Sequence, residues 1–295
     1  MATLLLAVVI AVAVAHVAPD LGRLRRFEWL SAWLAFAQRT FGATGFWRGA
    51  GGVALVLAVP VALMLLVQVL LDDAWFGLFE LALGTAVLFY CWGPRDLDLD
   101  VEAVAGAPDA DRRQVALRSL ATSGPAVVPG AGVLVDTVFR EALRRWFGVL
   151  FWFVLLGPAG ALGYRIVQLL ARDPAFAEEV PAEQIAPLEK LAQVLDWPAA
   201  HLMTLALAIA ADFDAVASAW RDFHAARDRT RVLDVGFLYA AGRASVDADI
   251  DDGDGYSDDA RAQLAEMQEA MSLTWRVLLV WGVVFALFVL AGKIA

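Results

Sequence analysis

The stretch that decides the fold class is GAGGVALVLAVPVALMLLVQVLL, residues 49–71. It carries no charged side chain over a length that fits the roughly 17–25 apolar residues a helix needs to cross about 30 Å of hydrocarbon. Three further stretches are nearly as apolar: residues 2–18, 74–92 and 273–292. We therefore predict an all-α fold, a polytopic membrane helix bundle with the lipid bilayer as its main partner.

The whole composition agrees with a membrane protein. The 295 residues are 60% hydrophobic and 19% charged, with a mean hydropathy of +0.64, whereas soluble domains are roughly half apolar and about a quarter charged. The formal net charge of −10 predicts repulsion of nucleic-acid phosphates, so we expect no nucleic-acid partner. Cys91 is the only cysteine, which excludes a disulfide within the chain and a cysteine-based metal site.

Two other apolar stretches are harder to place. Residues 148–170 are interrupted by the sequence GPAG at 157–160. We interpret this as a kink in a fifth span, where a neighbouring helix packs on the glycines, although broken helices also frame ligand sites. Residues 197–211 are short and fit a crossing helix, a re-entrant piece or a buried helix. Asp196 is expected to cap this helix, with Pro198 in its first turn.

The distribution of arginine and lysine predicts the orientation in a bacterial inner membrane. The basic stretches 19–48 and 93–147 belong on the cytoplasmic side, whereas residues 171–196 have few basic side chains and fit the outside. Residues 212–272 are again rich in arginine and prefer the cytoplasm. This preference favours a crossing by residues 197–211 and six spans in total; without that crossing the count is five.

Two connecting segments have the spacing of amphipathic helices. In residues 20–41, Trp29, Trp33 and Phe36 recur on one face beside a basic entry, which is typical of a helix lying in the headgroup region. Residues 131–147 have an apolar face with the following members: Val135, Phe139, Ala142, Leu143 and Trp146. The opposite face of that segment is charged, with these members: Asp136, Arg140 and Arg144.

We divide the chain into five segments on these features. They are N-terminal spans with an interfacial helix (1–93), a cytoplasmic loop with amphipathic helices (94–147), a broken span plus a short embedded helix (148–211), a polar helical segment (212–272) and a C-terminal span (273–295). Further helices are expected near 109–122, 212–243 and 257–272. The acidic run 246–255 resembles a calcium-binding loop only loosely, because its glycine is misplaced and Asp258 stands where a glutamate belongs. We interpret it as a flexible linker.

Polar side chains inside the membrane each need a reason, because a charge there costs at least about 2.5–3.5 kcal/mol. Glu80 and Arg165 have similar depths below the outer surface in this topology, and we expect them to approach each other. Tyr164, Asp196 and His201 would complete a polar pocket. The alternative is that Arg165 extends alone to the headgroups while Glu80 faces a crevice or is protonated. Local spacing offers no metal-ligand set, so we predict no metal site and no cofactor.

Several short motifs occur in a fixed order along the chain. They are Arg140-Glu141-Ala142, Phe151-Trp152-Phe153, Gly157-Pro158, Gly160-Ala161, Tyr164-Arg165, Asp196-Trp197-Pro198 and Asp222-Phe223-His224. In their order and spacing, from the first span to about residue 240, they resemble the AmpE family of inner-membrane regulatory proteins. The resemblance implies a signalling protein linked to peptidoglycan recycling, β-lactamase induction and antibiotic resistance. A signalling role of this kind is compatible with a protein partner in the membrane or in the cytoplasm.

The AmpE family is in turn similar to the CobD/CbiB family, membrane enzymes that join an aminopropanol-type unit to a corrinoid acid in cobalamin synthesis. On that resemblance, the candidate catalytic residues of an ATP-dependent amide-forming enzyme are Asp136, Glu141, Arg144 and Arg145. The enzyme family's polar motifs are replaced here by ATSG at 121–124 and RRWF at 144–147.

The leading hypothesis is therefore a non-catalytic membrane sensor or signalling modulator. An enzyme of the CobD/CbiB type is the alternative. A small transporter is a third hypothesis, motivated by the broken apolar stretch and by Glu80.

Overall fold

The computed structural model of the protein describes residues 2–17, 19–71, 77–93, 96–121, 130, 132–226, 233–249 and 260–292. Within these ranges the regular structure is helical and no strand occurs, so the predicted all-α class is confirmed. Residues 72–76 and most of the acidic run 246–255 lie outside the described residues.

The helices follow one another along the chain with short connections. They are α1 (Ala2–Val17), α2 (Glu28–Phe41), α3 (Ala50–Leu71), α4 (Leu78–Cys91), α5 (Leu97–Ala105), α6 (Ala110–Leu120), α7 (Val133–Ala142), α8 (Gly148–Arg172), α9 (Ala182–Ala210), α10 (Phe213–Ala225), α11 (Gly236–Asp249) and α12 (Ala260–Leu290). A π-helical turn, Leu143–Phe147, joins α7 to α8. Two 3₁₀ helices, Pro19–Leu24 and Pro174–Phe176, precede α2 and α9.

The chain divides into two compact units, each built from separate parts of the sequence. The first unit contains residues 1–96 and 148–195, and the second contains residues 97–147 and 196–293. One boundary between the units falls at 147/148. The boundary at 195/196 divides the expected segment 148–211, because the indole N–H of Trp152 in the first unit donates to the carbonyl oxygen of Leu195 at 3.1 Å, while the following turns of α9 belong to the second unit.

Three helical stretches are long and apolar enough to cross a membrane: Ala50–Leu71, Val133–Arg172 and Arg261–Leu290. Helices α1 and α4 are apolar but shorter. The apolar side chains of α3 and of the end of α12 are largely exposed, as expected for a surface that faces lipid. The expected helix 257–272 and the expected span 273–292 form one continuous helix, α12.

Helix α8 is a hairpin of two helical arms instead of a straight rod. A methyl group at Gly148 would collide with the hydroxyl of Tyr164, so these two residues are in contact. Gly160 likewise contacts the carbonyl oxygen of Trp152. A straight helix would separate Gly148 from Tyr164 by about 24 Å at 1.5 Å per residue. The two ends of the motif-bearing stretch therefore run antiparallel.

The reversal occurs at Gly157, whose φ of 68° and ψ of −157° lie outside the helical region. Glycine adopts a positive φ at little cost because it has no Cβ. Pro158 follows as the first residue of a new helical turn, where its missing N–H is not needed. The first arm (148–156) therefore begins at the same end of the hairpin at which the second arm (158–172) finishes. The predicted kink within one straight helix is wrong, because glycine and proline reverse the chain here.

Small residues let the hairpin pack closely on its neighbours in the first unit. A methyl group at Gly163 would lie 3.1 Å from the side chain of Val61 in α3. A methyl group at Gly84 of α4 would lie 3.4 Å from the ring of Phe153. Such close approach is typical of helix packing in membranes, where van der Waals contact is a main source of attraction. The tip of the hairpin lies beside Gln68 of α3.

Helix α2 has the two faces that the sequence predicts for an interfacial helix, although it begins at Glu28 instead of near residue 20. The buried face is apolar and consists of Leu30, Leu34 and Ala37. The exposed face carries the aromatic rings of Trp29 and Phe36. Trp33 fixes the helix to α3 by donating its indole N–H to the carbonyl oxygen of Val56 at 3.1 Å.

In the second unit, α7 confirms the predicted amphipathic segment. The residues of the expected apolar face are all fully buried: Val135, Phe139, Ala142, Leu143 and Trp146. The residues of the expected charged face are only half-buried: Asp136, Arg140 and Arg144. Before α7, the expected loop contains two helices instead of one, because Leu97, Val101 and Val104 give α5 a buried apolar side of its own.

Helix α9 runs through the position where a new helix was expected to begin. Asp196 and Pro198 both lie inside the continuous helix Ala182–Ala210, so the prediction of a cap at Asp196 is wrong. A proline in a helix removes one hydrogen bond and displaces the carbonyl of the preceding turn. The carbonyl that loses its N–H donor is that of Val194, and the next carbonyl, that of Leu195, accepts the indole N–H of Trp152. Helix α11 similarly continues to Asp249, into the start of the expected acidic linker.

Candidate functional site

The candidate site of the second unit is a buried charge cluster formed by Arg145, Asp100 and Glu141. Arg145 Nε donates to Glu141 Oε2 at 2.9 Å, and Nη1 donates to Asp100 Oδ2 at 2.7 Å. Nη2 donates to the carbonyl oxygen of Leu120 at 2.5 Å. The three charged side chains are at most 1% exposed. Each nitrogen of the guanidinium therefore has an acceptor within the protein.

The geometry of the cluster follows from three helices. Glu141 is in α7, and Arg145 follows it by four residues in the π-helical turn, so both side chains lie on one face. Asp100 comes from the buried side of α5. A buried charge without a partner would be strongly destabilising, so these groups must be present together. The arrangement joins α5, the end of α6 and α7 into one core.

The other face of α7 forms a second charged group with α11, which is more accessible to solvent. Arg243 Nη1 donates to Asp136 Oδ2 at 2.5 Å, with the side chains 40% and 18% exposed. The guanidinium carbon of Arg140, one helical turn after Asp136, lies 5.4 Å from the centre of the Tyr239 ring. Arg144 is half-buried one turn further along. The four candidate catalytic residues thus divide between a buried cluster and a surface group.

Glu80 lies at the beginning of α4, where its role is local. Its Oε1 accepts a hydrogen bond from the hydroxyl of Thr3 in α1 at 3.0 Å. Its other oxygen lies 3.8 Å from the position that a methyl group at Gly77 would occupy, close to the start of the helix. A carboxylate near the N-terminus of a helix is stabilised by the unpaired backbone N–H groups there. Glu80 therefore connects α1 to the start of α4.

Arg165 lies near the opposite end of α4 from Glu80. Its guanidinium is close enough to the Cys91 side chain to act on the thiol electrostatically. Cys91 and Glu80 are separated by about 16 Å along α4, at 1.5 Å per residue. The predicted approach of Glu80 and Arg165 is therefore wrong. The hairpin returns Tyr164 and Arg165 to the level of Gly148, whereas a straight span would have carried them to the far side.

Arg25 holds the same end of α4 to the connection before α2. It donates to the carbonyl oxygen of Gly93 at 3.3 Å, and its guanidinium carbon lies 4.3 Å from the centre of the Phe89 ring. Burial lowers the pKa of Arg25 from its ordinary value, and the nearby carboxylate of Asp96 opposes this decrease. The arginine-rich entry before α2 thus has a structural contact as well as a preference for the headgroups.

His201 and Asp196 belong to the second unit, so the expected pocket is divided between the units. The His201 ring lies between Trp197 and Phe237, with ring centres 4.1 and 4.3 Å away. Its Nδ1 is 2.9 Å from the carbonyl oxygen of Trp197. Asp196 is buried. Tyr164 and Arg165 are buried in the first unit.

Sequence analysis did not predict Asp100 in the buried charge cluster, or Tyr239 and Arg243 in the surface group on α7. Asp100 gave a readable signal, because it is a charged residue on the apolar side of a helix with Leu97 and Val101 and so requires a buried partner. No comparable signal marks Tyr239 or Arg243, which meet α7 only through the tertiary fold. Within the described ranges, no three His, Cys, Asp or Glu side chains are placed to hold a metal ion.

Comparisons with known proteins found no relative of this chain. No family model, no curated protein and no solved structure matches this chain.

Proposed function

We propose that this chain is a multi-pass protein of the bacterial inner membrane that acts as a non-catalytic signalling modulator. The AmpE resemblance links the proposal to peptidoglycan-recycling signals and β-lactamase induction. The observation that carries it is the buried cluster. Glu141 and Arg145, which an enzyme of the CobD/CbiB type would need at a substrate, are engaged with Asp100 and are at most 1% exposed. They stabilise a helical unit in the manner of a scaffold.

The hairpin supports a particular arrangement in the membrane. We place four crossings at α1, α3, α4 and the end of α12. The hairpin of α8 enters and leaves on the cytoplasmic side, since Gly148 and Tyr164 are in contact. Residues 173–181 then lie in the cytoplasm. The arginine-rich residues 212–272 also remain there, as the positive-inside rule prefers, without a crossing by residues 197–211. This arrangement replaces the five or six spans predicted from the sequence.

Induction of β-lactamase tests the proposed function. In a native host with an inducible enzyme, deletion of the gene for this chain is expected to change β-lactamase activity after exposure to a β-lactam, because a modulator of the signal has been lost. Expression of the intact chain from a plasmid should restore the original response. Nitrocefin hydrolysis measured over a range of inducer concentrations reports both. Identical induction curves with and without the chain would refute the proposal.

The alternative, an amide-forming enzyme, has one observation in its favour. Asp136 and Arg243 are partly exposed and form a polar pair that a substrate is able to reach. Purified protein would then condense a corrinoid acid with an aminopropanol-type amine and consume ATP, which mass spectrometry of the product detects. The variant Asp136→Asn would lose this product if the pair acts in the reaction. Absence of any condensation by the intact protein would argue for the modulator.

A further inference from the structure

We propose that the surface group between α7 and α11 is a binding site for a phosphate-type oxyanion. We call it the α7–α11 patch and define it by Arg140, Arg243, Tyr239 and Asp136. The inference deepens the proposed function, on which it rests, by naming the chemical class of ligand that a modulator of this kind would detect. All four residues belong to the second unit.

Arg140 has hydrogen-bond donors to offer. Its guanidinium lies over the Tyr239 ring at 5.4 Å, and its charge acts on the nearby carboxylate of Asp136. A guanidinium carries five N–H donors in a fixed planar fork. The aromatic ring holds the cation in place through its face and leaves the edge of the fork open. Arg140 is half-buried, so its position is more restricted than that of a fully solvated arginine.

Arg243 already binds an oxyanion. Its Nη1 donates to a carboxylate oxygen of Asp136 at 2.5 Å, and its side chain remains 40% exposed. Arg140 follows Asp136 by one helical turn and so lies on the same side of α7. The carboxylate therefore lies close to two arginines, which shows that an oxyanion is accommodated at this position. It also keeps Arg243 extended toward α7 when no ligand is bound.

The local charge favours an anion in a protein that is acidic as a whole. Two arginines and one aspartate give the patch a formal charge of +1, whereas the chain carries −10. A positive site in an otherwise negative protein attracts anions at that point. Arginine forks match the geometry of phosphate and carboxylate oxygens, and charge-assisted hydrogen bonds of this type are about twice as strong as neutral ones. Both arginines act on the carboxylate of Asp136, so an anion beside that carboxylate is attracted by both charges.

Phosphate groups come from two sources, a soluble phosphate ester or a lipid headgroup, and the test separates them. The full chain is purified in detergent, and its thermal unfolding is followed by tryptophan fluorescence with increasing glycerol 1-phosphate, against chloride at equal ionic strength. A parallel experiment uses nanodiscs of phosphatidylcholine with or without phosphatidic acid. We expect a rise in unfolding temperature that depends on the phosphate group in one arm or in both. The arm that responds identifies the source.

Variants connect the effect to the patch. Arg140→Gln removes the open fork and is expected to weaken phosphate binding roughly tenfold or more, the loss of one charge-assisted hydrogen-bonding group. Arg118→Gln removes the same charge from an exposed position on α6 and should bind like the parent. If Arg140→Gln fails to fold, Arg140→Lys keeps the charge without the fork and should bind more weakly than the parent.

Two results would overturn the proposal. One is the absence of a phosphate-specific shift in both arms, and the other is an equal shift in the parent, Arg140→Gln and Arg140→Lys. The outcome is independent of the induction experiment, because binding is measured on purified protein. A chain that binds phosphate without affecting β-lactamase would retain the site and lose the proposed function.

Discussion

At the level of single residues, Arg145 holds two carboxylates that have almost no access to water. We expect Arg145→Met to lower the free energy of unfolding by about 3–5 kcal/mol, because it removes the cation that pairs with the buried carboxylates of Asp100 and Glu141. Denaturant unfolding in detergent measures the change. Arg118→Met, at an exposed position on α6, should stay within about 0.5 kcal/mol of the parent.

The same cluster provides a sharper comparison through neutralised partners. If the cost of Arg145→Met is electrostatic, adding Asp100→Asn and Glu141→Gln should recover part of the lost stability, because the buried negative charge disappears. Equal stability of the single and the triple variant would show that the loss came from packing instead.

The sequence allows part of this residue-scale picture to be predicted. Glu141 and Arg145 are four residues apart, so their shared helix face follows from helical geometry alone. Asp100 lies 45 residues from Arg145 in the chain, and no spacing rule connects them. Glu80 and Arg165 were predicted as a pair from their depths in two assumed crossings. That inference failed because α8 reverses at Gly157 and returns Arg165 to the level of Gly148.

At the level of elements, the reversal at Gly157 determines how α8 is placed. Gly157→Ala is expected to destabilise the protein by about 1–2 kcal/mol or more, since a residue with a side chain adopts a positive φ at that cost. Its methyl group would also lie 2.6 Å from the side-chain nitrogen of Gln68. The unfolding temperature in detergent reports the effect.

A matched glycine elsewhere tests whether the backbone conformation is responsible. Gly282 lies in regular helix in α12, with open space where a methyl group would be added. Gly282→Ala should be neutral or slightly stabilising, because alanine has the better helix propensity. An equal loss of stability in both variants would contradict the role assigned to Gly157.

Element prediction succeeded where one periodicity decided the outcome. Every residue predicted for the apolar face of α7 is buried, because the helical spacing of apolar residues places them all on the side that packs against the neighbouring helices. The kink predicted at GPAG and the helix start predicted at Pro198 both followed from local rules for proline, and both predictions were wrong. The first reverses the chain because Gly157 supplies a positive φ, and the second lies inside the continuous helix Ala182–Ala210. Local sequence alone does not separate these outcomes.

At the level of the whole molecule, the hairpin decides the side of the membrane on which residues 173–181 lie. Glu178 is exposed in this connection. In a Cys91→Ala background, which has no other thiol, we expect Glu178→Cys to react with a membrane-impermeant maleimide only in inverted vesicles. The reason is that a re-entrant hairpin returns the chain to the cytoplasm.

Asp73→Cys serves as the opposite control, because a crossing by α3 from the cytoplasmic residues 19–48 carries the chain to the outer side. It should react only in right-side-out preparations. Reaction of Glu178→Cys from the outer side would show that residues 148–170 cross the membrane and would remove the four-crossing arrangement.

Helix α12 has a mechanical consequence. At 31 residues it is about 46 Å long, well beyond the roughly 30 Å of the hydrocarbon layer. Its last turns expose apolar side chains such as Leu279 and Leu287, whereas Met267 and Val277 are fully buried in the second unit. The apolar stretch of a crossing helix responds to a change in bilayer thickness by changing its tilt. The buried first half and the exposed last half of α12 form one unbroken helix. A change in the thickness of the lipid layer that tilts the last half therefore also rotates the buried half against the helices packed on it.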